Sequence, residues 1–251
     1  LFIILLYVYL IKIGNSIQEY EKQHDFVVQI KVLDKTFDNF LLQKSTFINY
    51  DGINQKVTNF ETILAFLDSE KTYTKFDKEY ISILSKIKIE YKNKLEYIEI
   101  FKSNNASLVN SLHYLFDLNK LIQESHTLDK KVVAISNDTL LLLMKFYVNT
   151  YVDTKQITNN INLLKQSIKT DENIELDLFT THISKNLKRI TELVNIENGI
   201  DKLYLMKQIN KLHNYLYNDY NNNIFIKKAI TTSFFIISLC ILFIFLKMYL
   251  H

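Results

Sequence analysis

Residues 84–115, LSKIKIEYKNKLEYIEIFKSNNASLVNSLHYL, decide the fold. Leu84, Ile87, Tyr91, Leu95, Ile98, Phe101, Asn105, Leu108, Leu112 and Leu115 recur at steps of three and four. An apolar stripe held at that spacing over several heptads specifies a long helix packed in a bundle or coiled coil. Extended to its flanking breakers, the pattern predicts one helix from Lys75 to about Glu124, roughly 75 Å long. A helix of that length predicts an elongated, rod-like shape.

Composition agrees. The 251 residues contain no proline and three glycines, where average usage would supply roughly a dozen prolines and more glycines. Sandwiches, barrels and doubly wound sheets need those residues for their turns. The fold class is therefore all-α: an elongated bundle of long antiparallel helices between two transmembrane helices. Ala229–Leu246, AITTSFFIISLCILFIFL, is an uncharged apolar run, and about twenty such residues span a bilayer. Leu1–Ile11, LFIILLYVYLI, is half a span. The chain does not begin with Met, so residues 1–13 read as a first transmembrane helix truncated at its start, with a cleaved signal peptide as the alternative. No small-residue cleavage site follows. Residues 14–228 then form the helical domain between the anchors, and residues 229–250 the second membrane helix.

Within that domain, a first helix is expected to about Asn49, with Phe26, Ile30, Leu33, Phe37, Phe40, Leu41, Phe47 and Ile48 on one side. Asp51-Gly52 is expected to break it, before a short helix over Ile53–Leu67. Further helices are expected over Asp129–Val152, onward to Ile168, and over Ile174–Ile196. Asn198-Gly199 is the last expected break. From Ile200 the stripe Leu203, Met206, Ile209, Leu212, Leu216, Tyr220, Ile224 runs into the second anchor.

The chemistry-bearing residues exclude several function classes. The six histidines are scattered singly along the sequence, so no metal site is expected. Three isolated glycines cannot build a phosphate-cradling loop, and no nucleophile motif is present, so the chain reads as non-catalytic and free of cofactor. A formal net charge of +3 from 30 basic and 27 acidic residues, without a basic track, predicts no nucleic-acid partner. The lone Cys240 lies in the second anchor and rules out a disulfide within the chain.

Two stretches resemble the double all-helical ligand-binding (DAHL) domain of bacterial membrane sensor proteins. Gln43–Ile53, QKSTFINYDGI, is similar to a family stretch of Arg-x-Gly followed by Asn-Tyr-Asp-Pro-Leu, matched at Asn49, Tyr50 and Asp51. Phe101–Leu115, FKSNNASLVNSLHYL, is similar to Phe-Lys-Ser-x-Asn-Ala-x-Leu-Arg-Asn-Ser-Leu-x-Tyr-Leu and is the more specific match. The sequence departs from the pattern at Gln43 and Val109, each in place of Arg, and at Gly52, in place of Pro.

The resemblance implies an extracytoplasmic, ligand-sensing region of a membrane-bound signal-transduction receptor. Its localisation would be the bacterial inner membrane, with the central segment in the periplasm. The output domain would be a histidine kinase of a two-component system or a diguanylate cyclase, and the partners a small molecule or a periplasmic binding protein, with homodimerisation. A chemoreceptor-type sensor and a structural, membrane-tethered helical scaffold are the alternatives. The matched polar residues implied as ligand-binding are Asn49, Tyr50, Asp51, Lys102, Asn105, Asn110 and Ser111. Asn105 falls in the apolar stripe, where asparagine either sets helix register or contacts a ligand. Asp51 shares a wheel face with Phe40, Lys44 and Phe47 and is expected to approach an apolar surface. Asn105 and the 49–51 corner are expected to form one polar site.

Overall fold

The computed structural model describes residues 2–42, 50–69, 78–148, 153–168, 173–200 and 202–250. Among these there are seven helices and no strand: α1 (Phe2–Leu41), α2 (Tyr50–Ser69), α3 (Lys78–Glu124), α4 (Lys130–Val148), α5 (Thr154–Ser167), α6 (Ile174–Ile200) and α7 (Leu205–Leu250). The chain divides into two compact units. The first takes residues 1–35, 56–91 and 204–251; the second takes 36–55 and 92–203.

The first unit is built on α1, α2, the start of α3 and α7. Its core stripes are Val27 and Ile30 on α1, Phe60, Leu64 and Leu67 on α2, Leu84 and Ile87 on α3, and Leu205, Ile209 and Leu212 on α7. Two tyrosines on α3 tie it to α2. Tyr80 donates its hydroxyl to the Leu67 carbonyl at 2.9 Å. Tyr91 stacks on Phe60 with centroids 4.2 Å apart and donates to the Val57 carbonyl at 3.4 Å. Burial pushes the Tyr91 phenol well above its ordinary pKa, with Glu61 adding to the rise. These hydroxyls occupy α2 carbonyls across an otherwise apolar contact, which fixes the axial register of the two helices as well as their distance.

The second unit centres on α3 from residue 92 onward, packed with α4, α5 and α6. Leu108, Leu115, Leu143, Leu164, Phe179 and Ile183 lie in one continuous core. Asp153 caps α5, its side chain accepting from the Lys155 amide, and Asp129 does the same for the start of α4 through the Lys131 amide. Such caps satisfy amides that the first helical turn leaves unpaired.

Several expected boundaries move. α1 ends at Leu41, while Gln43, Lys44, Phe47, Ile48 and Asn49 lie outside the described residues. Asp51 and Gly52 do not break the chain; both sit in the first turn of α2. A carboxylate there meets the positive end of the helix dipole. Asp51 is exposed rather than set against an apolar surface. The last expected break is present but slightly later: α6 ends at Ile200, one residue past Gly199, and α7 begins at Leu205, with Lys202 N donating to the Gly199 carbonyl at 3.0 Å in the turn between them. A β-carbon at position 199 would come within 2.8 Å of the Tyr97 hydroxyl and 3.1 Å of its ring. The glycine permits α6 and α3 to approach closely. Finally, α3 buries Lys94 where the sequence pattern places Leu95; Leu95 is half-buried. The Lys94 ammonium, 3% exposed, meets the Asp38 carboxylate at 2.6 Å.

One helical segment among the described residues is long and apolar enough to cross a membrane. It falls in α7, where the Ala229–Leu246 side chains are exposed almost throughout. The N-terminal apolar stretch forms, from Phe2 on, the opening turns of α1, which passes Gly14 without interruption.

Gly14 and Gly199 should respond oppositely to substitution. Nothing lies within 4 Å of a β-carbon at Gly14, so Gly14→Ala should stabilise by about 0.5–1 kcal/mol through helix propensity alone. Gly199→Leu should destabilise by about 1–3 kcal/mol or more, because its side chain must displace Tyr97. Urea unfolding of the two variants in detergent, followed by far-UV dichroism, measures both.

Candidate ligand-binding site

Asn105 is the obvious anomaly of the α3 stripe: an amide 3% exposed between Phe101 and Leu108. A buried amide without partners costs about 1–3 kcal/mol. Here its Nδ2 donates to the Tyr50 hydroxyl at 3.2 Å. Tyr50 is the first residue of α2, and Phe40 steadies the pair from α1. The Phe40 ring packs edge-on against Tyr50 at 6.5 Å and against Phe101 at 5.0 Å.

Asn105 also lines a small cavity of about 20 Å³ with Leu41, Phe101, Tyr147, Ile190, Leu193, Val194 and Glu197. That is the room of one water molecule. Tyr147, on α4, is 9% exposed, and its buried hydroxyl has no hydrogen-bond partner among the described residues. Burial pushes its phenol above the ordinary pKa, and Tyr50 adds to the rise. Glu197 stands half-buried near the end of α6. The lining therefore combines an amide, a phenol and a carboxylate with aliphatic walls. It can donate and accept hydrogen bonds to a water-sized guest, while its one formal charge disfavours an anion.

The seven residues singled out in the sequence separate into distinct places. Tyr50 and Asn105 are brought together. Lys102 lies one turn away, donating to Asn54 Oδ1 at 2.9 Å and paired with Glu99 at 2.7 Å. Ser111 belongs to another polar layer, with His182 Nδ1 at 2.8 Å and Asn186 Nδ2 donating to it at 3.0 Å. Arg189 in turn donates to Asn186. Asp51 and Asn110 are exposed, and Asn49 is outside the described residues. Tyr50 and Asn105 are thus in contact, whereas Asp51 is exposed. Tyr147 and Glu197 were absent from the sequence reading. Each lies on a helix that carries no matched motif, and a tyrosine among aliphatic residues looks like ordinary core.

The Ser111 layer has a definite protonation pattern. With Asn186 donating to Ser111, the serine hydroxyl is free to donate to Nδ1 of a neutral His182. Burial, then Lys185 and Arg189, holds the imidazole pKa below its ordinary value of 6.5. The family comparison is informative about the whole chain: a family model described as the DAHL domain matches residues 15–224. No curated protein and no solved structure matches it.

Two outcomes follow from these partners. Tyr147→Phe removes an unpartnered hydroxyl and should leave stability unchanged or raise it by up to about 1 kcal/mol, whereas Tyr50→Phe strands the Asn105 amide and should cost about 1–2 kcal/mol. Urea midpoints of the two variants decide this. For His182, the folded pKa lies below the unfolded one, so the unfolded chain binds the proton first. Its share of stability is intact above about pH 6.5 and falls as the pH drops below that value. Comparing urea midpoints at about pH 7.5 and about pH 5.5, His182→Gln should show a smaller loss than the wild type.

Proposed function

The chain belongs to the DAHL-domain family, a family of sensor domains rather than catalytic ones, and on that premise we propose that it is the extracytoplasmic sensing region of a membrane-bound receptor. Residues 14–228 lie on the outer side of the bacterial inner membrane, between a first membrane helix that includes residues 1–13 and a second at 229–250. The output module is a histidine kinase or a diguanylate cyclase. The receptor acts as a homodimer of elongated, antiparallel helical bundles.

The observation that carries this reading is the composite lining around Asn105: a buried, partly unsatisfied polar cluster among aliphatic walls. A bundle core meant only for assembly would fill that position with apolar groups or fully paired ones. The closed cavity has room for one water molecule only, so a ligand enters by displacing the α6 wall, and Glu197, with Gln43 and Val109 in place of the family's arginines, favours an uncharged or amine-bearing one. The last three turns of α6 supply Ile190, Leu193, Val194 and Glu197, and α6 is joined to α7 through residues 201–204. A shift of α6 by 1–2 Å, the order seen in helix-level switches, is thereby delivered to the helix that carries the membrane span. A periplasmic binding protein acting on the same helices is the second form of stimulus.

Topology is the part open to direct measurement. Single cysteines at the exposed positions Asn110 and Asp51, in a Cys240→Ser background, should react with a membrane-impermeant maleimide in intact spheroplasts. Labelling that appears only after lysis would overturn the assignment. In the same membranes, cysteines along Leu203–Tyr220 should crosslink between subunits with helical periodicity, as expected of a dimer.

A further inference from the structure

The first unit holds a second arrangement of polar groups, unrelated to the Asn105 cavity. His24 on α1 and His213 on α7 are 189 residues apart in sequence, yet their Nε2 atoms lie 3.2 Å apart. The rings are tilted by 46° with centroids at 5.1 Å. We propose that His24 and His213 form a two-imidazole site for a divalent transition ion of the Zn2+ type, bridging α1 and α7.

Distance is the first argument. Zinc–imidazole bonds are about 2.0–2.1 Å long, and two of them at a tetrahedral angle place their nitrogens about 3.3 Å apart. The two Nε2 atoms already stand at that separation. Proton placement is the second. His24 Nδ1 faces the Asp25 carboxylate at 3.7 Å, which favours a proton on Nδ1 and leaves the Nε2 lone pair turned toward His213. A carboxylate behind an imidazole is the arrangement that orients ligating histidines. Two neutral imidazoles meeting through Nε2 can share only one proton between them. With a lone pair on each, a cation relieves the repulsion, and imidazole is the ligand that Zn2+, Cu2+ and Ni2+ favour.

Access and charge are compatible with binding. The His24 side chain is 35% exposed, so water can complete the coordination. Lys31, the basic group facing His213, opposes an added cation, and Asp25 offsets it. An occupied site would clamp together the helix that carries the apolar N-terminal stretch and the helix that carries the membrane span.

The test is calorimetric titration of the full chain in detergent micelles with Zn2+ alone. The expected result is saturable binding of a single ion, abolished in His24→Gln and in His213→Gln and unchanged in His113→Gln. Asp25→Asn, at a site 77% exposed and therefore harmless to folding, should weaken binding by roughly tenfold or more. Zn2+ should also raise the thermal midpoint of the wild type and not that of His213→Gln. Far-UV dichroism checks that the histidine variants remain folded. Absence of saturable binding, affinity that survives in the double His24→Gln/His213→Gln variant, or affinity untouched by Asp25→Asn would each overturn the site.

Discussion

Everything in the second unit is organised around one requirement: α3 carries polar side chains inside an apolar stripe, and each must find a partner on a neighbouring helix. Asn105 finds Tyr50, Ser111 finds His182 and Asn186, and Asn119 finds Asn137 and Ser136. Apolar contacts alone would allow α3 to slide or rotate against its neighbours at little cost. A displaced amide loses its hydrogen bonds in a medium where water cannot replace them. The three polar layers thus fix register at successive levels of the bundle, and the leucines between them supply most of the buried area.

Lys94 extends the same logic to a formal charge. Its ammonium is nearly fully buried and meets Asp38 of α1 at 2.6 Å. An unpaired lysine in that position would cost about 3 kcal/mol or more. The ion pair therefore matters less as a source of net stability than as a restriction on how α1 and α3 can pack. It also differs from the Asn105 cluster, where the Tyr147 hydroxyl has no hydrogen-bond partner among the described residues. One site is closed electrostatically; the other keeps unused hydrogen-bonding capacity.

Most of the fold was legible because helical periodicity is a property of local sequence. The α3 stripe, the α7 stripe and the apolar segment at 229–246 all follow from residue spacing. The breaks were less legible. Asp51-Gly52 carries the composition of a turn yet lies in the first turn of α2, and Gly199, one residue before the end of α6, also faces Tyr97. A glycine required by a neighbour's bulk looks, in sequence, like a glycine required by a bend. Lys94 was missed for a related reason: lysine at a stripe position looks like an exposed flank until its carboxylate partner, 56 positions away on another helix, is known. The site was half legible. Tyr50 and Asn105 stand in recognisable motifs, whereas Tyr147, Glu197, His182 and Asn186 acquire meaning only through tertiary contact.

The division of the chain into units has a consequence for how the protein is made. The second unit uses residues 36–55 and 92–203, whereas the first also needs 204–251. All sequence of the second unit has therefore been synthesised before the last helix of the first begins to emerge. At about 5–20 residues per second, roughly 10–40 s separate the synthesis of His24 from that of His213. During that interval the α1 face bearing Val27 and Ile30 lacks the α7 residues that complete its unit. Biosynthesis thus favours an order in which the second unit folds first and the unit containing His24 and His213 closes last. A nascent chain held at that stage would expose an apolar surface, which makes it a natural client for chaperones.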